Sequence, residues 1–298
     1  MEKVLSIHNL DKRYGKIHAV NNLSFDIEKG SVFGVLGPNG SGKTTTLGII
    51  LSVISANSGT YSWFGEPPSK ESRKRIGAIL EHPIFYPYLS AERNLQIICD
   101  IKGASYSEIE GVLEKVGLLA RKDSKFRTYS YGMKQRLAIA SALLGKPEVL
   151  IFDEPTNGLD PKGIHEIREL IIKIAKGGTT IILASHLLDE VQKTCSHVLV
   201  LKNGKKLFEG KVDKVLTSSP LLEIASNDIP VLKKALSGFD GVIDVKEEEG
   251  LLLAKLNENV SAFEINKYCI EKGIVLTRLS LRKKSLEKKF LELLSKSE

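Results

Sequence analysis

The strongest constraint on this chain is one glycine-rich segment. It is preceded by an apolar run, 31–36, typical of a buried strand, and followed by a run, 45–51, typical of a helix. A glycine, four spacer residues and then Gly-Lys-Ser/Thr form the P-loop pattern, so this order predicts a phosphate-binding loop in an α/β domain. The segment reads Gly37-Pro38-Asn39-Gly40-Ser41-Gly42-Lys43-Thr44.

Each residue type in this loop has a chemical reason. Glycines let successive N–H groups point into one anion-binding concavity, and the following helix adds the positive end of its dipole. We expect Lys43 to reach the β- and γ-phosphates of a nucleotide and the Thr44 hydroxyl to hold Mg²⁺. The alternative is a glycine-rich turn that fits the pattern by chance.

Length and composition limit the class of protein. A chain of 298 residues suggests about two domains of roughly 150 residues each. No stretch approaches the roughly 20 apolar residues of a membrane span, and the N-terminus lacks the apolar region of a signal peptide. The three cysteines, Cys99, Cys195 and Cys269, are far apart, which indicates neither a disulfide framework nor a zinc site. We therefore expect a soluble, cytoplasmic protein.

The net charge is moderately basic, with 43 Lys and Arg against 36 Asp and Glu. Such a surface favours ATP, an anionic membrane leaflet or nucleic acid as a partner. The charges are spread along the chain without a long basic run, so an ordinary solvated surface explains them as well. We expect no direct contact with nucleic acid.

The first part of the chain predicts a parallel sheet. Three short apolar runs, 76–80, 149–152 and 180–184, are continuous rather than alternating, as in strands that helices cover on both faces. The pattern between them is mainly helical and more charged. We therefore predict an α/β domain over residues 1–216 with a helical subdomain at about 82–145.

A second domain is predicted over residues 221–298, after a linker at Thr217–Pro220. Strands and helices there follow the order βαββαβ, which is typical of a small ferredoxin-like α+β unit. The strands are expected at 221–225, 242–246, 251–256 and 274–281, and the helices at 230–236 and 260–271. A final apolar stripe at helical spacing, Leu286, Phe290, Leu293 and Leu294, is typical of a docking face.

Two carboxylates follow the apolar run at 149–152. Asp153, at the predicted strand end, is placed to hold Mg²⁺ directly or through water. Glu154, one residue further, is placed to orient and deprotonate an attacking water. In isolation the same pattern also fits an acidic turn after a strand.

Together these residues resemble the ATP-binding subunits of ABC transporters, and the resemblance covers about residues 4–215. Tyr129–Arg136 stands where that family has its signature sequence, Asn157–Asp160 resembles the D-loop, and Ser185-His186 resembles the switch histidine. Tyr14 fits the aromatic residue that stacks on adenine. The resemblance assigns ATP binding to Tyr14, Gly37, Pro38, Asn39, Gly40, Ser41, Gly42, Lys43, Thr44, Thr45 and Glu81, Mg²⁺ to Thr44, Asp153 and Glu81, and catalysis to Glu154 and His186.

The resemblance also implies partners. In the family the signature serine and its neighbours face ATP bound by the other subunit, so Ser130, Tyr131 and Gly132 imply a homodimer with two ATP molecules head-to-tail. Asp160 of the D-loop belongs to the same interface. The family hydrolyses ATP to drive a separately encoded transmembrane permease, which implies a peripheral position on the inner face of the membrane.

Three of these residues have simpler interpretations. Tyr14 also fits an ordinary turn or core aromatic, and His186 also fits a core histidine with its hydrogen bonds satisfied. Ser130 also fits the cap of the following helix, a role that is compatible with the signature.

The chain departs from the family pattern at two positions. Tyr131 replaces the first glycine of the signature, which restricts how closely a phosphate approaches. Glu81 replaces a glutamine, keeping a side-chain oxygen for Mg²⁺ but adding a negative charge close to ATP. The second change is expected to alter both Mg²⁺ affinity and the rate of hydrolysis.

Glu81 also indicates a subgroup. Residues 81–90 and the tail around 285–293 resemble the ATPases of bacitracin- and lantibiotic-resistance exporters, which implies export. One alternative is an ABC ATPase acting on nucleic acid or ribosomes, but such proteins usually carry tandem ATPase units or long coiled-coil insertions. The other is a non-hydrolysing regulator, which Asp153, Glu154 and His186 argue against.

Overall fold

A computed structural model of the chain describes residues 2–81, 83–213, 221–248, 250–257 and 260–282. The chain divides into two compact units, residues 1–212 and 213–298. The predicted linker at Thr217–Pro220 and the stripe from Leu286 to Leu294 lie outside the described residues. The predicted domain boundary at residue 216 therefore stays a prediction.

The first unit contains nine described strands and seven described α-helices. The strands are β1 Lys3–Tyr14, β2 Ile17–Glu28, β3 Val32–Leu36, β4 Ser58–Trp63, β5 Ile76–Ile79, β6 Val149–Asp153, β7 Thr180–Ser185, β8 His197–Lys202 and β9 Lys205–Lys211. The helices are α1 Lys43–Ile50, α2 Lys70–Lys74, α3 Ala91–Lys102, α4 Glu108–Lys115, α5 Tyr131–Leu143, α6 Pro161–Lys176 and α7 Leu188–Thr194.

A six-stranded sheet positions the site, in the order β5-β6-β7-β3-β8-β9. The first five of these strands are parallel, and β9 pairs antiparallel with β8. Every residue of β3, β6 and β7 is buried, which confirms the parallel strands predicted from continuous apolar runs. Because β7 lies between β3 and β6, the segments that follow these three strands meet at one edge of the sheet.

A second, antiparallel sheet of order β2-β1-β4 was not predicted from the sequence. Its strands mix buried and exposed residues without strict alternation, and the register shifts several times between β1 and β2. The two sheets share one core, to which α1 contributes Leu47, Ile49 and Ile50. The fully buried Trp63 donates its indole N–H to the Ile50 carbonyl at 2.8 Å and so ties this sheet to the helix after the P-loop.

Helices α3, α4 and α5 lie between β5 and β6 in the chain, with 3₁₀ turns at Leu119–Arg121 and Phe126–Thr128. This confirms the helical subdomain predicted within an α/β ATPase core. Ser90 caps α3 and Ser130 caps α5, each accepting a backbone N–H three residues on. Among the described residues, no helix has the length and apolar content needed to cross a membrane.

The second unit has the predicted βαββαβ order. Its elements are β10 Leu221–Ser226, α8 Ile229–Ser237, β11 Val242–Glu248, β12 Leu251–Leu256, α9 Ala262–Glu271 and β13 Leu276–Arg282. The strands form one antiparallel sheet in the order β11-β12-β10-β13, with the first and third strands of the unit adjacent at its centre. This arrangement confirms the ferredoxin-like prediction.

Candidate active site

The P-loop between β3 and α1 requires glycine at specific points. Gly40 and Gly42 have positive φ values of 78° and 100°, a region that residues with a Cβ rarely adopt. A Cβ on Gly42 would also overlap the carbonyl oxygen of Ala19. Gly42 directly precedes the first residue of α1, so the loop brings the N–H groups at the start of that helix to the site.

Lys43 is buried at the mouth of this loop, with 6% of its side chain exposed. Its Nζ donates to the Gly37 carbonyl at 2.8 Å and to the Pro38 carbonyl at 3.3 Å. The same atom lies 3.3 Å from Oε1 of Glu154, at ion-pair distance, although the pair lacks hydrogen-bond geometry. The ammonium group of Lys43 is therefore held inside the loop for which the sequence predicts phosphate binding.

Thr44 and Asp153 join α1 to the end of β6. The Thr44 hydroxyl donates to Oδ2 of Asp153 at 2.7 Å. Burial raises the pKa of Asp153 above its ordinary value, and the charges of Glu154 and Glu81 add to the rise. The Thr44 hydrogen bond and the charge of Lys43 oppose it without cancelling it. The positive charge nearby therefore does not offset the cost of burying this carboxylate.

These two residues fit Mg²⁺. Oδ1 of Asp153 is buried and accepts no hydrogen bond within the described part of the chain, and beside it lies a hydroxyl oxygen. Hard oxygen ligands of this kind suit Mg²⁺, which usually takes one or two protein ligands together with substrate phosphates and water. The described ranges contain no cluster of three or more His, Cys, Asp or Glu side chains that could bind a metal without substrate.

Glu154 connects three segments of the site. Its backbone has a positive φ of 50°, and its N–H donates to the Ala184 carbonyl at 3.0 Å. Oε2 lies 2.8 Å from Nδ1 of His186 and accepts the His186 backbone N–H at 3.4 Å. With Oε1 directed to Lys43, the carboxylate lies between the P-loop lysine and the histidine after β7.

The other predicted residues lie at defined places. Tyr14 ends β1 with about half of its surface exposed, and Lys12 Nζ lies 5.1 Å from its ring centroid. Glu81 follows β5 with a positive φ of 57° and is exposed. Its charge contributes to the raised pKa of Asp153, so the two carboxylates are close enough to interact.

The predicted signature and D-loop residues begin two helices. Ser130 caps α5, accepting the Met133 N–H at 3.3 Å, which matches the simpler interpretation given to it above. Tyr131 is exposed and Gly132 half-buried beside it. Asp160 caps α6, where Oδ1 accepts the Gly163 N–H at 2.8 Å.

Two buried polar residues beside the site escaped the sequence analysis. Gln135 donates its amide to the Pro155 carbonyl at 2.8 Å, which links α5 to the segment after Glu154. Glu190 accepts the Ser185 hydroxyl at 3.1 Å, next to His186. Gln135 lies within the quoted signature segment, whereas Glu190 has no local pattern that distinguishes it from a solvent-facing helical glutamate.

Fold and site together define a P-loop ATPase of the ATP-binding cassette class. A family model described as ABC transporter matches residues 20–157. The bacitracin transport ATP-binding protein BcrA of Enterococcus faecalis is 35% identical over 99% of this chain and 97% of its own length. The lantibiotic transport ATP-binding protein SrtF of Streptococcus pyogenes is 40% identical over 76% of this chain and 97% of its own.

Solved structures agree with the sequence relatives. A dimeric ATP-binding cassette in a post-hydrolysis state, bound to ADP and phosphate, superposes with a TM-score of 0.62 at 27% identity, over 70% of this chain and 98% of that one. The chain belongs to the ABC transporter family as an ATP-binding subunit, and its activity is ATP hydrolysis.

Proposed function

We propose that this chain is the ATP-hydrolysing motor of an exporter for antimicrobial peptides or drugs, serving resistance or immunity. The observation that carries the proposal is the match to the bacitracin transport protein along 99% of the chain, which includes the second unit as well as the ATPase unit. The lantibiotic transport protein supports the same class over 76% of the chain.

The site geometry supports a division of roles. Lys43 and the loop amides bind the β- and γ-phosphates, and Tyr14 stacks on adenine. Glu154 removes a proton from the attacking water, and His186 links Glu154 to the γ-phosphate. Thr44 and Asp153, with Glu81 nearby, would hold Mg²⁺, which when bound neutralises charge on the phosphates.

The sites are completed by a second copy of the chain. Ser130, Tyr131 and Gly132 stand at the N-terminus of α5, where backbone N–H groups and the helix dipole favour a phosphate. In the proposed homodimer they face ATP on the partner's P-loop, so that two ATP molecules lie head-to-tail. The dimeric form of the solved cassette supports this arrangement.

A separately encoded permease would receive the resulting motion. Closure on ATP and opening after hydrolysis supply the mechanical cycle, and the permease would hold the chain against the inner face of the membrane. Glu81 and the helical subdomain are proposed to sense the permease. Glu81 directly precedes that subdomain in the chain, and its charge also acts on Asp153.

The first experiment measures ATP hydrolysis by the purified full chain, wild type beside Glu81→Gln, alone and with membranes that contain a candidate permease. We expect the permease to stimulate wild-type turnover and Glu81→Gln to change that stimulation. Glu114→Gln, an exposed glutamate on α4, is the matched control. A turnover rate that is the same with and without the permease, and the same in wild type and Glu81→Gln, would contradict the proposed coupling to transport.

A second experiment tests the cargo class. Cells that express the chain and its permease are exposed to bacitracin, to a lantibiotic and to an unrelated antibiotic. We expect a rise in the inhibitory concentration for one of the two peptides, which Glu154→Gln abolishes. Stimulated ATPase activity without any such rise would leave a transport motor but exclude this cargo.

A further inference from the structure

A buried carboxylate beside the site has no part in the roles proposed above. Glu190, in the first turn of α7, is 4% exposed. Its Oε2 accepts the Ser185 hydroxyl at 3.1 Å, while Oε1 is buried and accepts no hydrogen bond from the residues that the structure describes. A carboxylate with a single donor is costly to bury, so its presence here calls for a specific role.

The hydroxyl that Glu190 binds also holds the backbone next to His186. Ser185 Oγ accepts the Leu187 N–H at 3.0 Å, and the Ser185 carbonyl accepts the Gly37 N–H at 3.3 Å. A serine hydroxyl has one hydrogen and two lone pairs. Because Glu190 takes the hydrogen, the lone pairs remain available to Leu187, and the carboxylate therefore fixes the direction of this hydroxyl.

The chain of contacts ends on the reacting groups. His186 lies between Ser185 and Leu187, the two residues joined by the hydrogen bond from the Leu187 N–H to Ser185 Oγ, and its Nδ1 lies 2.8 Å from Glu154 Oε2. Gly37, which binds the Ser185 carbonyl, is the first residue of the P-loop. A change in the backbone at 185–187 would therefore alter the distance between His186 and Glu154.

We propose that Glu190 is a positioning residue for ATP hydrolysis: through the Ser185 hydroxyl it holds His186 against Glu154. The proposal rests on the role given above to the His186–Glu154 pair. Glu190 touches neither of those two side chains in this chain of contacts, so its effect on turnover passes through Ser185, and the proposal assigns the next step to His186 and not to Gly37 of the P-loop.

The test compares steady-state ATP hydrolysis of the full chain in two backgrounds, wild type and His186→Ala. In the wild-type background, Glu190→Met removes the acceptor and should lower kcat by about 10-fold or more, while KM for ATP changes less than about 2-fold. Glu190→Gln keeps an acceptor oxygen at the same place and should recover most of the loss. In the His186→Ala background, Glu190→Met should cost less than about 2-fold further.

The same fold-decrease in kcat from Glu190→Met in both backgrounds would overturn the proposal. A residue that acts independently of His186 lowers kcat by the same factor whether or not His186 is present. An unchanged kcat in Glu190→Met would also overturn the proposal. If Glu190→Met does not fold, judged by thermal melting and nucleotide binding, Ser185→Ala gives the same test. An unchanged kcat in His186→Ala alone would show instead that the proposed function of His186 is wrong, and this inference with it.

Discussion

The ring of Tyr131 lies against Gly158. A Cβ built on Gly158 would be 3.4 Å from Cε1 and 3.7 Å from Cζ of that ring. A second contact joins the same two segments, since Leu159 Cδ2 would be 3.7 Å from a Cβ built on Gly132. The start of α5 and the segment before α6 therefore pack against each other. Tyr131, which departs from the signature pattern, contributes its ring to this packing.

Gly158→Ala is expected to strain the backbone beside this contact. Gly158 has a positive φ of 78°, so alanine strains the backbone of the segment that follows Glu154, while the new methyl group would reach only van der Waals distance from the ring. Gly65→Ala is the matched control, because Gly65 has φ 80° and open space where the Cβ would lie. We expect both variants to lose about 1 kcal/mol of stability, and only Gly158→Ala to lower kcat by several-fold.

Thermal unfolding and steady-state ATPase assays of the two variants check this expectation. Equal activity in Gly158→Ala and Gly65→Ala would show that backbone strain beside the Tyr131 contact has no influence on turnover. Tyr131→Phe retains the ring and should behave as wild type in both assays.

Glu154→Gln tests the general base. The amide cannot accept the proton of the attacking water, so kcat should fall by roughly the 10²–10⁴-fold typical of such groups. ATP binding should be preserved, because Lys43 and the loop amides remain. Single-turnover hydrolysis and equilibrium binding of a fluorescent ATP analogue measure the two effects separately, and turnover within a few-fold of wild type would show that another group is the base.

The sequence predicted the parts of the fold that depend on local patterns. The strands β3, β6 and β7 are buried on both faces and so read as continuous apolar runs, and the P-loop, Asp153, Glu154 and His186 follow them at positions that the order of the motifs indicates. Parallel topology then brings their carboxyl ends together. The βαββαβ unit was predictable because each of its strands and helices is short and bounded by turn residues.

What the sequence missed depends on tertiary context. The strands β1, β2 and β4 mix buried and exposed residues, and the register of their sheet shifts several times, which blurs a two-residue period. Glu190 resembles any helical glutamate until the fold buries it under Ser185. Gly158 gave no sign that the ring of Tyr131, 27 positions earlier, would lie against it.

Asp153→Asn is expected to stabilise the nucleotide-free protein while abolishing Mg²⁺-dependent hydrolysis. Burial raises the pKa of Asp153 in the folded state above the ordinary value of 3.8. The folded protein therefore binds this proton more tightly than the unfolded chain, and stability falls as pH rises from about 3.8 through the raised pKa. Above that window the full penalty of the buried charge is present, and asparagine removes it.

Thermal unfolding in EDTA between pH 4 and pH 7.5 measures this effect. The gain from Asp153→Asn should be smallest at the acidic end, where the raised pKa lets more of Asp153 bind its proton, and largest at neutral pH. A gain in stability that is independent of pH would show that packing, and not the charge of Asp153, causes the gain. Because the Thr44 hydroxyl can still donate to the asparagine oxygen, the local hydrogen bond is retained in the variant.

Lys102 should make stability depend on pH at the alkaline end. Its Nζ donates to the carbonyls of Ser141, Ala142 and Leu144 at 2.9, 3.2 and 3.2 Å, at the C-terminus of α5. Burial lowers the pKa of Lys102 from 10.5 to about 8, against smaller opposing effects of Cys99 and Glu108. Below about pH 8 the amine is charged in both the folded and unfolded states, so it adds no slope there.

Between about pH 8 and pH 10.5 the folded protein releases this proton while the unfolded chain keeps it. The free energy of unfolding should therefore rise with pH across that window, by up to about 3 kcal/mol, relative to a Lys102→Met variant that cannot titrate. Urea unfolding at pH 7.5, 9 and 10 gives the free energy of unfolding of both proteins. In the difference between the two free energies, the contributions of the cysteines and tyrosines common to both proteins cancel. A difference that stays constant over this range would mean that the folded Lys102 keeps its proton, held by the three carbonyls at the end of α5.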